Sequence, residues 1–158
     1  MKNLKYKYQL IINTLMDIFD KYQNIYKKAM YFGTDSLLYN SEINMITCIS
    51  ESNEHYIIGL AKELGITKGA VSQIVKKLEK KGMITKFVDP GNRSRLFIEL
   101  TPKGICAYNQ NNESHRLMNS IFISVLKNLP DDKINMLLNI LKEIKSKILT
   151  IPADYLFL

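Results

Sequence analysis

The fold of this chain is decided by residues 57–104, which read IIGLAKELGITKGAVSQIVKKLEKKGMITKFVDPGNRSRLFIELTPKG. The first half of this stretch predicts two short helices, over about 56–64 and 68–81, that meet at a tight joint. Gly65 supplies the positive φ that closes the first helix. Thr67 is a natural N-cap for the second helix, because its hydroxyl can accept a bond from an unpaired amide of the first turn.

The second of these helices has an outward face that suits DNA. The pair has the spacing of a helix-turn-helix, with Ala61 where the helices touch, Gly65 in the turn and Val71 as the apolar wedge. The predicted core of the pair also contains Leu60, Leu64, Ile66, Ile74, Val75 and Leu78. Small and polar outward residues can enter the major groove without obstruction. The residues predicted to face DNA are Thr67, Lys68, Gly69, Ser72, Gln73, Lys76 and Lys77.

A β-hairpin is predicted directly after this helix. Beyond Gly82 the apolar period changes from 3.6 to 2, which predicts strands over 83–88 and 95–100 around an Asp-Pro-Gly-Asn turn. Such a ribbon after a recognition helix is a wing, with its tip beside the DNA backbone. Arg93 and Arg95 flank the tip and are candidates for a narrow minor groove. The alternation predicts a row that packs on the core: Leu96, Ile98 and Leu100.

Positive charge is concentrated in the same segment. The chain of 158 residues has a formal net charge of +7, and residues 62–95 hold nine basic side chains against three acidic ones. A basic footprint of this kind favours a polyanionic partner such as double-stranded DNA. A solvated, lysine-rich surface is the other interpretation of the charge taken alone.

The sequence offers no constellation for catalysis or for a cofactor. His55 and His115 have no Cys, Asp or Glu at ligand spacing. Cys48 and Cys106 fit neither a disulfide framework nor a metal site, and we interpret them as small buried or half-buried side chains. No apolar run approaches the ~20 residues that a bilayer requires. We therefore expect a cytoplasmic protein that is not an enzyme, binds no cofactor or metal and stays outside the membrane.

Long amphipathic helices flank the motif. Apolar residues at three- and four-residue steps predict a first helix over 4–31 and a last helix over 132–149. The small winged unit cannot cover both stripes, so we expect a homodimer. The predicted domains are a helical dimerisation module from 1–36 and 105–158, and a winged helix-turn-helix DNA-binding domain over 37–104. The predicted fold class is mainly α with a small β-hairpin wing.

Two further helix starts are visible in the sequence. Asn40 or Ser41 is predicted to cap a short helix that runs through Ile49. Thr101-Pro102 begins another helix after the hairpin, with threonine as the cap and proline at the first helical position.

Residues 57–104 resemble the MarR (multiple antibiotic resistance regulator) family of winged helix-turn-helix transcription regulators. The matching residues are Leu60-Ala61, Gly65-Ile66-Thr67, Val71-Ser72, Leu78-Glu79, Lys81-Gly82-Met83-Ile84, Asp89-Pro90, Leu100-Thr101 and Gly104. The resemblance implies a sequence-specific regulator, a repressor, that acts on pseudo-palindromic operator DNA. It also implies a homodimer joined through the terminal helices.

This chain departs from the family at two predicted DNA contacts. Relatives place a minor-groove arginine at the wing position that is Ser94 here, so Arg93 or Arg95 is left to supply it. Position 73, often arginine in the family, is Gln73, which favours adenine over guanine as a direct contact.

Two alternatives stay open at this level. Relatives bind small aromatic or phenolic effectors beside the first helix, and Tyr22 and Tyr26 are candidates for such a pocket by position; packing in a dimer interface is the other interpretation. A winged-helix protein-interaction module without DNA binding is the alternative function. The basic segment argues against it, since a repurposed domain has no need of a basic groove-facing surface.

Overall fold

The structure is a computed structural model that describes residues 2–52, 55–89 and 92–151. The side chains of Lys2, Tyr26, Asp89 and Asn92–Arg95 lie outside this description. In order, the elements are α1 (Lys2–Lys27), α2 (Asn40–Glu51), α3 (Ile57–Leu64), α4 (Lys68–Lys80), β1 (Ile84–Asp89), β2 (Asn92–Leu100), α5 (Pro102–Leu126) and α6 (Asp131–Leu149). The predicted mainly α class with one hairpin is confirmed.

The chain divides into two compact units, which meet in sequence between Glu113 and Ser114. The first unit contains the hydrophobic core. Its largest fully buried side chains are Leu38, Met45, Ile46, Ile49, Leu60, Val71, Val75, Leu78, Met83 and Ile98. The helix-turn-helix pair, the helix before it and the base of the hairpin therefore share one core.

The joint between α3 and α4 forms as the sequence predicts. Gly65 ends α3 with φ 64°, and its N–H donates to Lys62 O at 3.3 Å. The hydroxyl of Thr67 accepts from the N–H of Ala70 at 3.2 Å and caps α4. Both the turn glycine and the N-cap threonine are confirmed.

The start of α2 differs from the prediction. The N-cap is Tyr39 rather than Asn40 or Ser41, and the carboxylate of Glu42 accepts from the N–H of Tyr39 at 2.9 Å. The glutamate at the third helical position thus satisfies the cap in place of a short polar side chain. A glutamate three residues after the cap was the signal that could have placed this boundary.

The end of α1 also differs, because the chain turns back on itself before α2. The helix ends at Lys27, four residues earlier than predicted. Met30 and Leu38 then form an isolated antiparallel bridge, with N–H to O distances of 2.9 and 2.8 Å. Gly33, at φ 69°, lies in the turn that the bridge closes.

Among its described side chains, the hairpin packs on the core at its base. Ile84 pairs with Leu100, and Val88 pairs with Leu96. Ile98 is buried and Leu100 is half-buried, but Leu96 is 44% exposed, so the prediction that all three pack on the core is wrong for Leu96. Toward the tip, the strands extend beyond the core on the N-terminal side of Ile98, which leaves Leu96 and its partner Val88 in solvent.

The second unit is described by itself as the end of α5 followed by α6. None of the described side chains of α6 is buried. Apolar side chains of this unit that are exposed include Leu117, Ile121, Phe122, Ile123, Val125, Leu138, Leu141, Ile144 and Ile148. No helix in the described ranges is both long and apolar enough to cross a membrane.

Candidate nucleic-acid interface

Helix α4 has one buried face and one exposed face. Val71, Val75 and Leu78 are fully buried against the core. The seven residues of this region that the sequence assigns to DNA are all exposed: Thr67, Lys68, Gly69, Ser72, Gln73, Lys76 and Lys77. The core therefore fixes the direction in which this polar face points.

Hydrogen bonds on α4 restrict what its hydroxyls can offer to a ligand. The hydroxyl of Ser72 donates to the carbonyl of Lys68 at 2.9 Å, so its remaining capacity is as an acceptor. An acceptor at this position suits the amino group of adenine or cytosine in the major groove. Thr67 accepts from the backbone of Ala70, which leaves its own proton available for a phosphate oxygen.

Two lysines of the basic segment 62–95 are already paired within the protein. The ammonium of Lys81 lies 2.6 Å from the carboxylate of Glu42, and that of Lys86 lies 2.6 Å from Glu79. Among the described residues we see no such partner for the exposed lysines of α4: Lys68, Lys76, Lys77 and Lys80. Helix α4 therefore presents four exposed lysine ammonium groups on its surface.

The base of the wing is held by the segment before α3. The N–H of Ile98 donates to His55 O at 2.9 Å, and the His55 ring stacks on Phe97 with centroids 4.6 Å apart. Arg93 and Arg95 lie on β2 near the tip, but their side chains are outside the described part of the chain.

A model of the MarR family matches residues 38–94, which contain α2, α3, α4 and the hairpin up to its tip. Residues 38–94 of this chain therefore form a MarR-type domain. The family predicted from the motif residues is thus confirmed.

Two relatives come from Bacillus subtilis (strain 168). One is the uncharacterized HTH-type transcriptional regulator YhjH, 24% identical over 102 residues, which are 65% of this chain and 58% of the relative. The other is the uncharacterized HTH-type transcriptional regulator YvnA, 36% identical over 64 residues, 40% of this chain and 41% of the relative. The match to this chain thus spans less than two thirds of either relative.

Solved structures of the family share the fold over most of the chain. FabT of Streptococcus pneumoniae, crystallised in complex with DNA, has a TM-score of 0.68 and 22% identity, covering 89% of this chain and 96% of that one. ZitR of Lactococcus lactis, a zinc-responsive MarR family member, has a TM-score of 0.71 and 16% identity, covering 89% and 97%. At these identities the likeness establishes the winged helix fold.

One residue that suits the interface was missed by the sequence reasoning. Lys80 is exposed on the last turn of α4, in one row with Gly69, Gln73 and Lys76. Its spacing of seven residues from Gln73, two helical turns, was the signal that could have identified it. Lys80 joins the candidate phosphate contacts.

A separate depression lies between α2 and α3 and has a different chemistry. It measures about 270 Å³ and is lined by Asn44, Thr47, Cys48, Glu51, Glu63 and Leu64. Burial, followed by the carboxylates of Glu63 and Glu51, raises the pKa of the Cys48 thiol to about 11. Cys48 is buried as predicted, whereas Cys106 is exposed, so the prediction is wrong for the second cysteine.

The two tyrosines predicted for an effector pocket lie on α1. The side chain of Tyr22 is 39% exposed, and that of Tyr26 is outside the described part of the chain. Their role stays a prediction.

Proposed function

We propose that this MarR-family chain is a sequence-specific transcription regulator, a repressor, that binds double-stranded DNA as a homodimer. It works in the cytoplasm and catalyses no reaction. The observation that carries the proposal is the exposed polar face of α4, held in a fixed direction by the buried Val71, Val75 and Leu78. The FabT structure, solved in complex with DNA, supports the same use of a shared fold.

The proposed contacts follow from the chemistry of each side chain. Helix α4 has 13 residues and a length of about 20 Å, enough to lie in a major groove. Gln73 pairs with the N6 and N7 edge of an adenine, and Gly69 lets the helix backbone approach the base edges. Lys76 and Lys77 bind phosphates, which supplies affinity but carries no sequence information.

The wing contributes through an arginine in the minor groove. Ser94 cannot supply the guanidinium, and Arg93 is nearer the tip than Arg95, so Arg93 is the one we favour. Because a narrow AT-rich groove has a stronger negative potential, Arg93→Ala costs more affinity on a duplex with AT-rich flanks than with GC-rich flanks. Equal losses on both duplexes mean a phosphate contact, and a loss with Arg95→Ala alone assigns the role to Arg95.

The homodimer is supported by the apolar side chains that one copy leaves uncovered. Exposed residues of α6 include Leu138, Leu141 and Ile144, and α1 exposes Ile11, Leu15 and Ile18 among others. A twofold dimer places its recognition helices in successive major grooves, about 34 Å apart. The operator is therefore a pseudo-palindrome.

A small aromatic or phenolic effector at Tyr22 and Tyr26 is proposed to release the DNA. The support is their four-residue spacing, which places them one turn apart on α1. A phenolic carboxylate should release DNA from the native dimer, and Tyr22→Ala should require a higher concentration of it. Release that is unchanged in Tyr22→Ala rejects this pocket without affecting the DNA-binding proposal.

The test is selection of duplexes from a random pool with the full chain. We expect enrichment of a sequence with two half-sites. The logarithm of the association constant should fall linearly with the logarithm of the salt concentration, because binding releases counterions from the phosphates. Unselected duplex of equal length is the competitor. Binding to no duplex at low salt rejects the proposal and favours a protein-interaction module; binding without sequence enrichment rejects the sequence-specific part.

A further inference from the structure

The C-terminal end of α4 is held by charged residues from two other elements. We call this cluster the Lys81 junction: Lys81 as the C-cap of α4, Glu42 on α2, Lys103 on α5, and Asp35 and Ser36 in the turn before α2. None of these residues was assigned to DNA. The junction lies at the opposite end of α4 from the Thr67 cap.

Glu42 holds the side chain of Lys81. Its two carboxylate oxygens accept from the ammonium of Lys81 at 2.7 and 2.6 Å, and the same ammonium donates to Leu37 O at 2.7 Å. The ammonium also lies 5.5 Å from the centre of the Tyr39 ring. Lys81 therefore contacts both α2 and the segment that precedes it.

The carboxylate of Glu42 is not a surface group. Its side chain is 3% exposed, and one of its oxygens also accepts from the N–H of Tyr39 at 2.9 Å. A buried ion pair contributes little net stability, because desolvation offsets much of the attraction, but it requires one geometry. Such a pair is better suited to fixing a position than to strengthening the fold.

Lys103 holds the backbone of Lys81. Its ammonium donates to Lys81 O at 2.9 Å and to the Ser36 hydroxyl at 2.8 Å, and it pairs with the carboxylate of Asp35. The hydrogen bonds from Lys103 and then from Ser36 lower the pKa of Asp35. The first turn of α5 and the turn before α2 are thus joined at the carbonyl that ends α4.

We propose that Glu42 and Lys103 are positioning residues for DNA recognition: they set the direction of α4 by fixing its C-cap residue, Lys81, between α2 and α5. The inference rests on the proposed function, since it concerns how α4 meets a base pair. Glu42 is too buried to contact DNA itself, so its effect passes through Lys81. A small tilt of α4 moves Gln73 and Gly69 relative to the base edges, whereas flexible lysines still reach phosphates.

The direction in which DNA affinity changes when Glu42 is replaced distinguishes this proposal from a general electrostatic effect. Removing an acidic charge from a protein that binds DNA strengthens its general attraction to phosphates. The positioning role predicts the opposite for the selected duplex. Glu42→Gln should weaken binding to the selected duplex about tenfold, comparable to one mismatched base pair, with binding to random duplex unchanged or tighter. Glu143→Gln removes the same charge from the exposed Glu143–Lys147 pair of α6 and should leave specific binding unchanged.

Lys103 gives an independent variant if Glu42→Gln folds poorly. Lys103→Met should lower the ratio of specific to random binding, and Lys103→Arg should restore most of it, because the guanidinium can reach the same carbonyl. Lys147→Met is the control for a lost positive charge. Lys81→Met should weaken specific binding without changing the salt slope; a slope lower by about one identifies Lys81 as a phosphate contact instead and overturns the proposal.

Amide hydrogen exchange without DNA provides a readout that does not depend on the proposed function. The N–H groups of Gly82 and Met83 donate to Glu79 O and Leu78 O at 2.9 Å, and mark the end of α4. They should exchange faster in Glu42→Gln and Lys103→Met than in the α6 controls. If the wild type selects no duplex, the proposed function fails while faster exchange still supports the positioning of α4. Unchanged exchange, or a Glu42→Gln protein that binds the selected duplex as tightly as the wild type, overturns the inference.

Discussion

The helix-turn-helix core and the terminal helices place their apolar side chains in opposite environments. In the core, Val71, Val75 and Leu78 are fully buried, and each faces a neighbour from the same chain. In α6 no described side chain is buried, and Leu141 and Ile144 are 45% and 40% exposed. The helix-turn-helix region therefore completes its hydrophobic core within one chain. The terminal helices present a stripe that a second copy of the chain is proposed to cover.

The largest expected effect is on the self-contained core, at Gly104. A β-carbon added at Gly104 would lie 2.1 Å from Met83 O. The first turn of α5 would therefore have to move away from the residue that precedes the hairpin. Gly104→Ala should lower the free energy of unfolding by about 3 kcal/mol, because backbone must move to relieve the overlap. Urea denaturation measures the change. A loss below 1 kcal/mol, roughly that of a tolerated surface change, contradicts this close approach.

The next effect should appear in the terminal helices and leave the core intact. Ile144→Asp puts a charge on the apolar stripe of α6 and should convert dimer to monomer, since burying one isoleucine contributes about 1.5–3 kcal/mol. Ser146→Asp adds the same charge on the other side of the helix and should leave the dimer unchanged. Sedimentation equilibrium at micromolar concentration measures both. A monomeric wild type, or equal behaviour of the two variants, breaks the proposed contrast.

A smaller effect of opposite sign is expected at Gly69. A β-carbon there meets only the Thr67 hydroxyl oxygen, at 3.9 Å, so nothing opposes it in the protein alone. Gly69→Ala should stabilise the fold by about 0.5–1 kcal/mol, because alanine has the higher helix propensity. The same variant should bind the selected duplex less tightly, because the methyl group obstructs the base edges. A gain in both stability and specific affinity shows that Gly69 does not approach DNA.

The smallest effect concerns the two cysteines. With a pKa of about 11, about one Cys48 thiol in a thousand is ionised at pH 8, and its side chain is buried. A thiol-reactive probe at pH 8 should therefore label one site per native chain, the exposed Cys106. Cys106→Ser should abolish labelling until urea unfolds the chain. Rapid native labelling of Cys106→Ser means that Cys48 is more open than the packing of α2 indicates.

Local sequence rules predicted the structure correctly where a single residue sets the backbone conformation. Gly65 and Thr67 predicted the joint of the helix-turn-helix correctly, because a positive φ and a side-chain cap are properties of single positions. The predicted end of α1 and the predicted start of α2 were wrong. The Met30–Leu38 bridge and the Glu42 cap depend on partners several residues away, which single positions do not reveal.

The candidate site could be predicted in part. Helical periodicity assigned the outward face of α4 but missed Lys80, which extends the same row. The Lys81 junction could not be predicted, since it joins residues that are 22 to 67 or more positions apart and that only the folded core brings together. Alternation on β2 failed at Leu96 because periodicity does not show how far the core extends beneath a strand.

The most direct test of the account is the specificity of Gln73→Ala. The ratio of affinities for the selected duplex and for random duplex should fall about tenfold, because a bidentate adenine contact is worth roughly 1–3 kcal/mol of discrimination. Lys77→Ala is the matched control: it should weaken both duplexes about equally and lower the salt slope by about one. If Gln73→Ala leaves the ratio unchanged, α4 does not read bases through this face, and the central claim is contradicted.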